Sequence, residues 1–352
     1  MYDLIKKFEY TSEPHFYEDS FYARNWVPRA TGVIKRFEKD LNVSWESPEK
    51  DAFYIRCVGG LLVYTTKEGE VVCRNAAEPN ILNYRKNLVV AFNNTNEETL
   101  TSCENNRKSG AFLFDLKKGE IIKRFSEKPI QSTAYRMKDL LVMRTRNEGN
   151  SGHSFQVRDL DFDLLWERDF SEICKYEDSL NGKEKPGEVA NIYLYDENKI
   201  IVGCRNSKTF CFELNTGNLV WEGGMTGNIV IQGDLGYVST GMSLFRLDLK
   251  TGARIGYGWE NNRLPDLPEY NGYTIWPSGH GLTYHNGLLW YLVFSNGYSF
   301  VVAINPQDGH YEWIHCVDTV NKVMDIAFHQ NRMFLHDSGG ALHIYQKMDV
   351  LG

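Results

Sequence analysis

His329, His336 and His343 recur every seven residues near the C-terminus, and neutral imidazole is the commonest side-chain ligand for a metal ion. A tight site on strands needs its ligands on one face of neighbouring strands, and an interval of seven across hairpins does not put them there. The spacing predicts half-buried strand histidines and no metal site. His310, His315 and Cys316 share a second stretch, but adjacent residues on a strand point to opposite faces, which separates His315 from Cys316. Ser278-Gly279-His280-Gly281 is glycine-rich, yet it leads into a strand pattern, so no phosphate-cradling helix end is expected. No Ser/His/Asp or Cys/His set can be assigned, because such sets are recognised by geometry and not by order along the chain. The reading is therefore no catalytic set, no metal and no cofactor.

Carboxylates beside aromatics offer a different chemistry. Residues 94–110 carry Glu97, Glu98 and Glu104 against Arg107 and Lys108. Residues 172–189 carry Glu172, Glu177, Asp178, Glu184 and Glu188 against Lys175, Lys183 and Lys185. Residues 258–279 carry Glu260, Asp266 and Glu269 against Arg263, with Trp259, Tyr270, Tyr273 and Trp276 among them. Charges alone describe solvated loops. Aromatics flanked by carboxylates suit capture of a basic protein, and the residues selected for such an interface are Glu97, Glu98, Glu177, Asp178, Trp259, Glu260, Arg263 and Tyr270.

A repeated hairpin must position these loops. Residues 210–222 read FCFELNTGNLVWE. Phe210, Phe212 and Leu214 alternate with Cys211 and Glu213, the period-2 pattern of a strand with one buried face. Asn215-Thr216-Gly217 supports a tight reversal, since Asn and Gly tolerate positive φ. Leu219 and Trp221 then alternate with Val220 and Glu222. The plan recurs at 244–257 and 112–125, and again at 300–313, where Trp313 stands four residues past Gly309 as Trp221 stands past Gly217. A further copy, 155–166, turns without glycine. All-strand repeats of this size indicate a β-propeller, with four strands per blade.

The turns at Lys250-Thr251-Gly252 and Asn215-Thr216-Gly217, followed by tryptophan at Trp221, resemble the repeat of the quinoprotein-like (PQQ-like) β-propellers over most of residues 50–346. The resemblance implies the fold. Adjacent cysteines, which many members of that family carry, are absent, so its dehydrogenase chemistry is not expected. Neither the Asp boxes of sialidases nor the Gly-His and Trp-Asp signature of WD repeats is present. The expected fold is all-β, a propeller of seven four-stranded antiparallel blades. Six or eight are the alternatives, because the blade over residues 53–74 lacks a clear fourth strand. The last blade, 323–346, is one strand short, and an N-terminal strand is expected to complete it and close the ring, removing an exposed sheet edge. Residues 1–30 read as an aromatic-rich cap or arm, with a short helix over 3–8, and residues 31–352 as one propeller domain. Strand parity puts the loops at 94–110, 145–153, 172–189 and 258–279 on one face, where binding residues concentrate.

The chain has 352 residues, 13% of them aromatic, and a formal charge of −7. The charge argues against direct nucleic-acid binding. No apolar run long enough to span a membrane is present, and residues 1–10 lack an apolar signal core. Seven scattered cysteines without a Cys-x-x-Cys pair fit free thiols in a reducing cytoplasm. The functional expectation is a non-enzymatic, protein-binding propeller that captures a basic partner through its long-loop face. In general character this resembles bacterial toxin-neutralising immunity proteins. The alternative is an enzyme or carbohydrate-binding propeller with a site at the central channel mouth, drawing on Tyr84, Tyr135, Tyr193, His280 and Asp325.

Overall fold

The computed structural model describes residues 2–25, 32–90, 99–104, 111–124, 133–137, 139–145, 152–178, 182–205, 208–224, 227–240, 244–256, 269–270, 272–274 and 281–348. Among them no helix occurs, and so none long and apolar enough to cross a membrane. The chain divides into two compact units, one comprising residues 14–190 and 214–217, the other 1–13, 191–213 and 218–352.

In the unit built on residues 14–190, His15–Tyr17, Ser20–Asn25, Val33–Phe37 and Val43–Glu46 form an antiparallel four-stranded sheet. The region read as a cap therefore supplies two full strands of a sheet. A seven-stranded sheet follows, from Phe53–Val58 to Glu120–Arg124. Its middle strand, Leu82–Val90, pairs with Glu70–Asn75 through its first half and with Thr99–Glu104 through its second. This supplies the fourth strand missing from the 53–74 reading. It also makes a strand of Thr99–Glu104, inside what the sequence presents as one long loop. Thr133–Met137, Leu140–Thr145, Ser154–Asp159 and Leu164–Asp169 form the next four-stranded sheet.

Apart from Val189 and Ala190, the other unit holds the four-stranded sheets starting at Val189–Tyr195, Asn228–Gln232, Thr283–His285 and Val323–His329. The last orders Val323–His329, Arg332–Asp337, Leu342–Lys347 and then Tyr2–Phe8. Its fourth strand thus comes from the N-terminus, as expected, though from residues read as a helix. Leu342–Lys347 pairs with Tyr2–Phe8 from Tyr2↔Lys347 to Phe8↔Leu342.

Central strands are buried on both faces. Phe210, Cys211 and Phe212 are all buried, so the alternation read at this stretch describes residue type and not burial. The reason is that sheets pack against sheets. Tyr195, Ile201, Cys211 and Trp221 share a core with Ile229, Val238 and Phe245 of the following sheet. Trp290, Leu292 and Val301 share another with Met333, Leu335 and Tyr2.

Outer strands bury little, and the tryptophans are their main contribution. In four of the sheets a bulge falls just before this residue: Trp45, Trp166, Trp221 and Trp313 pair in register, and the residue before each is skipped. A bulge re-aims the side chain that follows it. Trp221 is aimed at the next hairpin, where its indole N–H donates to the Leu249 carbonyl at 2.7 Å. Its ring lies against Gly252, where a Cβ would stand 2.6 Å from a ring carbon and φ is +73°. Trp166 repeats this with Leu214 at 2.8 Å and Gly217. The Thr-Gly turn and the tryptophan are therefore two halves of one contact between successive repeats.

Candidate functional site

Of the loop region 170–189, residues 170–178 and 182–189 are described. It is anchored by backbone. The amide of Phe170 donates to the His153 carbonyl, that of Gly187 to Ser171, and that of Val189 to Gly152, each at 2.9 Å. His153 Nδ1 reaches the Gly187 carbonyl at 2.5 Å, and Arg144 donates to the Val189 carbonyl at 3.0 Å. Residues 152–153 and 170–189 thus meet directly, as strand parity requires of a second turn and a following link.

On this base stands the two-stranded hairpin of Tyr176–Glu177 and Glu184–Lys185. Glu177 and Glu184 are exposed and stand directly opposite one another. Lys175 Nζ lies 2.7 Å from Glu172 and 3.5 Å from Glu184, one cation between two carboxylates. The hydrogen bond that Lys175 donates to Glu172 comes first among the interactions that raise the Lys175 ammonium above its ordinary value. Asp178 differs from the sequence reading. It is 9% exposed, its carboxylate takes Lys185 at 2.5 Å, and its backbone closes the turn with Gly182 and Lys183. It secures the hairpin and offers a partner little surface.

Of the other residues selected from sequence, Tyr270 lies on the short strand Glu269–Tyr270, paired with Tyr273–Thr274. Glu97, Glu98, Trp259, Glu260 and Arg263 lie outside the described residues. The strand Thr99–Glu104 separates residues 97 and 98 from 105–110, so the stretch 94–110 is not one loop. Among the channel candidates, Tyr84 donates to the Leu116 carbonyl at 3.2 Å, and the Tyr193 hydroxyl accepts the Ile229 amide at 3.2 Å. Both hydroxyls are engaged in holding backbone.

The three histidines at intervals of seven do not converge. His343 is fully buried against the equally buried Asp337, with Nε2 3.0 Å from Oδ2. Asp337 also accepts the Thr319 hydroxyl at 2.8 Å and the Gly339 and Ala341 amides at 2.9 Å. Burial pushes this carboxyl up, but the bonds from His343, Ala341 and Thr319 outweigh it and hold the group well below the usual carboxylate range. This is a structural knot that ties the hairpin turn at 338–341 to the preceding link. His315 stacks on Trp313 at 5.3 Å, while Cys316 packs on the opposite side near Tyr291, as their adjacency predicts. Among the described residues, His336 is the histidine grouped with two carboxylates, Asp325 and Glu13. The sequence could not pair them, because Glu13 reaches the site only through the register of the N-terminal strand. The described cysteines are free, and burial pushes the thiols of Cys57 and Cys211 up to about 12, so neither is poised as a nucleophile.

No family model matches the chain, and no curated protein matches it. Solved structures do resemble it. BamB from Moraxella catarrhalis aligns over 98% of this chain and 100% of its own, at 11% identity and a TM-score of 0.61. The computationally designed Ika8 protein aligns over 96% of each chain, at 11% identity and a TM-score of 0.64. Sqt1 from Saccharomyces cerevisiae aligns over 99% of this chain and 100% of its own, at 11% identity and a TM-score of 0.64. Likeness at this identity establishes the fold and nothing finer. BamB is a PQQ-like propeller and Sqt1 a WD40 propeller, and the present chain, whose described residues build antiparallel sheets, has the β-propeller fold.

Proposed function

We propose that this chain is a non-enzymatic protein-binding propeller that captures a basic protein partner through the surface built on residues 170–189. The observation that carries the reading is the Glu177–Glu184 pair. Like charges directly opposite across a hairpin are destabilising, and Lys175, shared between Glu172 and Glu184, offsets only part of this repulsion. A cationic group docked on the hairpin would relieve the repulsion. The base beneath it is fixed by backbone hydrogen bonds, which lowers the ordering cost of binding. The more specific form of the proposal is a cytoplasmic immunity protein that neutralises a basic toxin by covering its active site. The overall charge of −7 supports it through long-range attraction of a basic partner. Glu97, Glu98, Trp259, Glu260, Arg263 and Tyr270 belong to the same proposal as further contacts.

The test is to express the chain with its gene neighbours and measure association of the purified pair. In the E177K/E184K variant the association rate at low salt falls on the order of tenfold to a hundredfold, because steering charge is inverted. Thermal stability stays level or falls slightly, because one like-charged pair replaces another and the exposed Lys175–Glu184 ion pair is lost. The separate W259A/R263A variant tests the aromatic contribution. Unchanged association of both variants with the partner would refute the proposal.

A further inference from the structure

We propose that Glu13, Asp325 and His336 form a binding site for one divalent transition-metal ion, with Zn²⁺ the ion that best suits the ligand set. One imidazole or carboxylate atom from each residue lies within 4.8 Å of those of the other two, a spacing that a single ion between them bridges. His336 Nε2 is buried and has no hydrogen-bond partner. A buried polar atom left without a partner is costly, and a metal bond at that nitrogen removes the cost.

Two features of the chain assemble the set. The first is a register shift between Val323 and Asp325, which pair with Asp337 and His336 respectively, so that Met324 is passed over. Bulges of this kind re-aim side chains and gather next to functional sites; here the result is Asp325 directly opposite His336. The second is the N-terminal segment. After Tyr2–Phe8 pairs along the sheet edge, the Thr11 amide donates to the Gly340 carbonyl at 2.7 Å. This brings Glu13, from the start of the chain, to strands near its end.

The ligand chemistry selects the ion. A mixed nitrogen and carboxylate set matches zinc, whose catalytic and exposed sites take three protein ligands and leave a fourth position for water or an incoming group. Calcium needs six to eight oxygen ligands, which one imidazole and two carboxylates do not provide. Glu13 and Asp325 are exposed, so the open position faces solvent. These residues belong to a different unit from the 170–189 hairpin, and the proposal stands independently of partner capture.

The test uses the full chain, free of any affinity tag and stripped with chelator. Titration calorimetry with Zn²⁺ is expected to give one site per chain, and Co²⁺ is expected to give a visible ligand-field spectrum that Zn²⁺ bleaches. E13Q and D325N, exposed and nearly isosteric, and H336Q each weaken binding tenfold or more, whereas H329Q binds as the unaltered chain does. Melting temperature rises with Zn²⁺ in the unaltered chain and not in H336Q. Absence of a stoichiometric site, binding undiminished in E13Q and D325N, or displacement of Zn²⁺ by equimolar Ca²⁺ would overturn the assignment.

Discussion

Replacing Trp221 with alanine is expected to lower the free energy of unfolding by about 3–5 kcal/mol, the range for deleting a buried aromatic. The side chain is 6% exposed, so nearly all its apolar surface is lost from the core it shares with Tyr195, Val238 and Leu247. Its indole also satisfies the Leu249 carbonyl, and the turn glycine beneath it would face a void. Phenylalanine at this position retains most of the packing and forfeits the hydrogen bond, a smaller loss of about 1–2 kcal/mol. Denaturant unfolding followed by far-ultraviolet circular dichroism separates the two. A W221A loss no larger than that of W221F would show that the contact between tryptophan and turn does not couple successive repeats.

The second large effect is at Asp337. Alanine there leaves the buried His343 and the half-buried Thr319 without this partner and removes the acceptor for the Gly339 and Ala341 amides. Breaking one partner of a buried charged set costs about 3–5 kcal/mol. The same group sets a pH dependence. Its folded-state value lies below the unfolded value of about 3.9. Its stabilisation is therefore fully present above that value and is lost as pH falls through it towards the folded value. Unfolding curves between pH 6 and pH 2.5 are expected to show steep loss of stability below about pH 4, with a shallower slope in D337N. Equal slopes would place the acid sensitivity elsewhere.

How much could be read from sequence depends on where each strand buries its side chains. The hairpins were legible because turn glycines and tryptophans repeat, and the contact between Trp221 and Gly252 explains why they repeat together. The N-terminal strand was not. Only Tyr2 of Tyr2–Phe8 is buried, and the exposed Asp3, Lys6 and Lys7 give an outer strand the composition of a tail. Leu82–Val90 runs through Asn83, Arg85, Lys86 and Asn87, polar residues that break any apolar pattern while the backbone ladder continues. Thr99–Glu104 is missed because only Leu100 and Cys103 are apolar. The acidic hairpin at 176–185 was visible as composition, but the inward role of Asp178 follows from tertiary bonding with Lys185. The Glu13, Asp325 and His336 cluster depends on a bulge and on pairing between the two chain ends, and neither has a local signal.

Capture of a basic partner by the acidic hairpin requires the partner to touch residues 172–188. Hydrogen–deuterium exchange of the chain, alone and with the basic partner recovered from its gene neighbourhood, locates that contact. Slowed exchange in 172–188 and in the adjoining 152–153 is the predicted result. Protection confined to other segments, with 172–188 exchanging at its free rate, would contradict it.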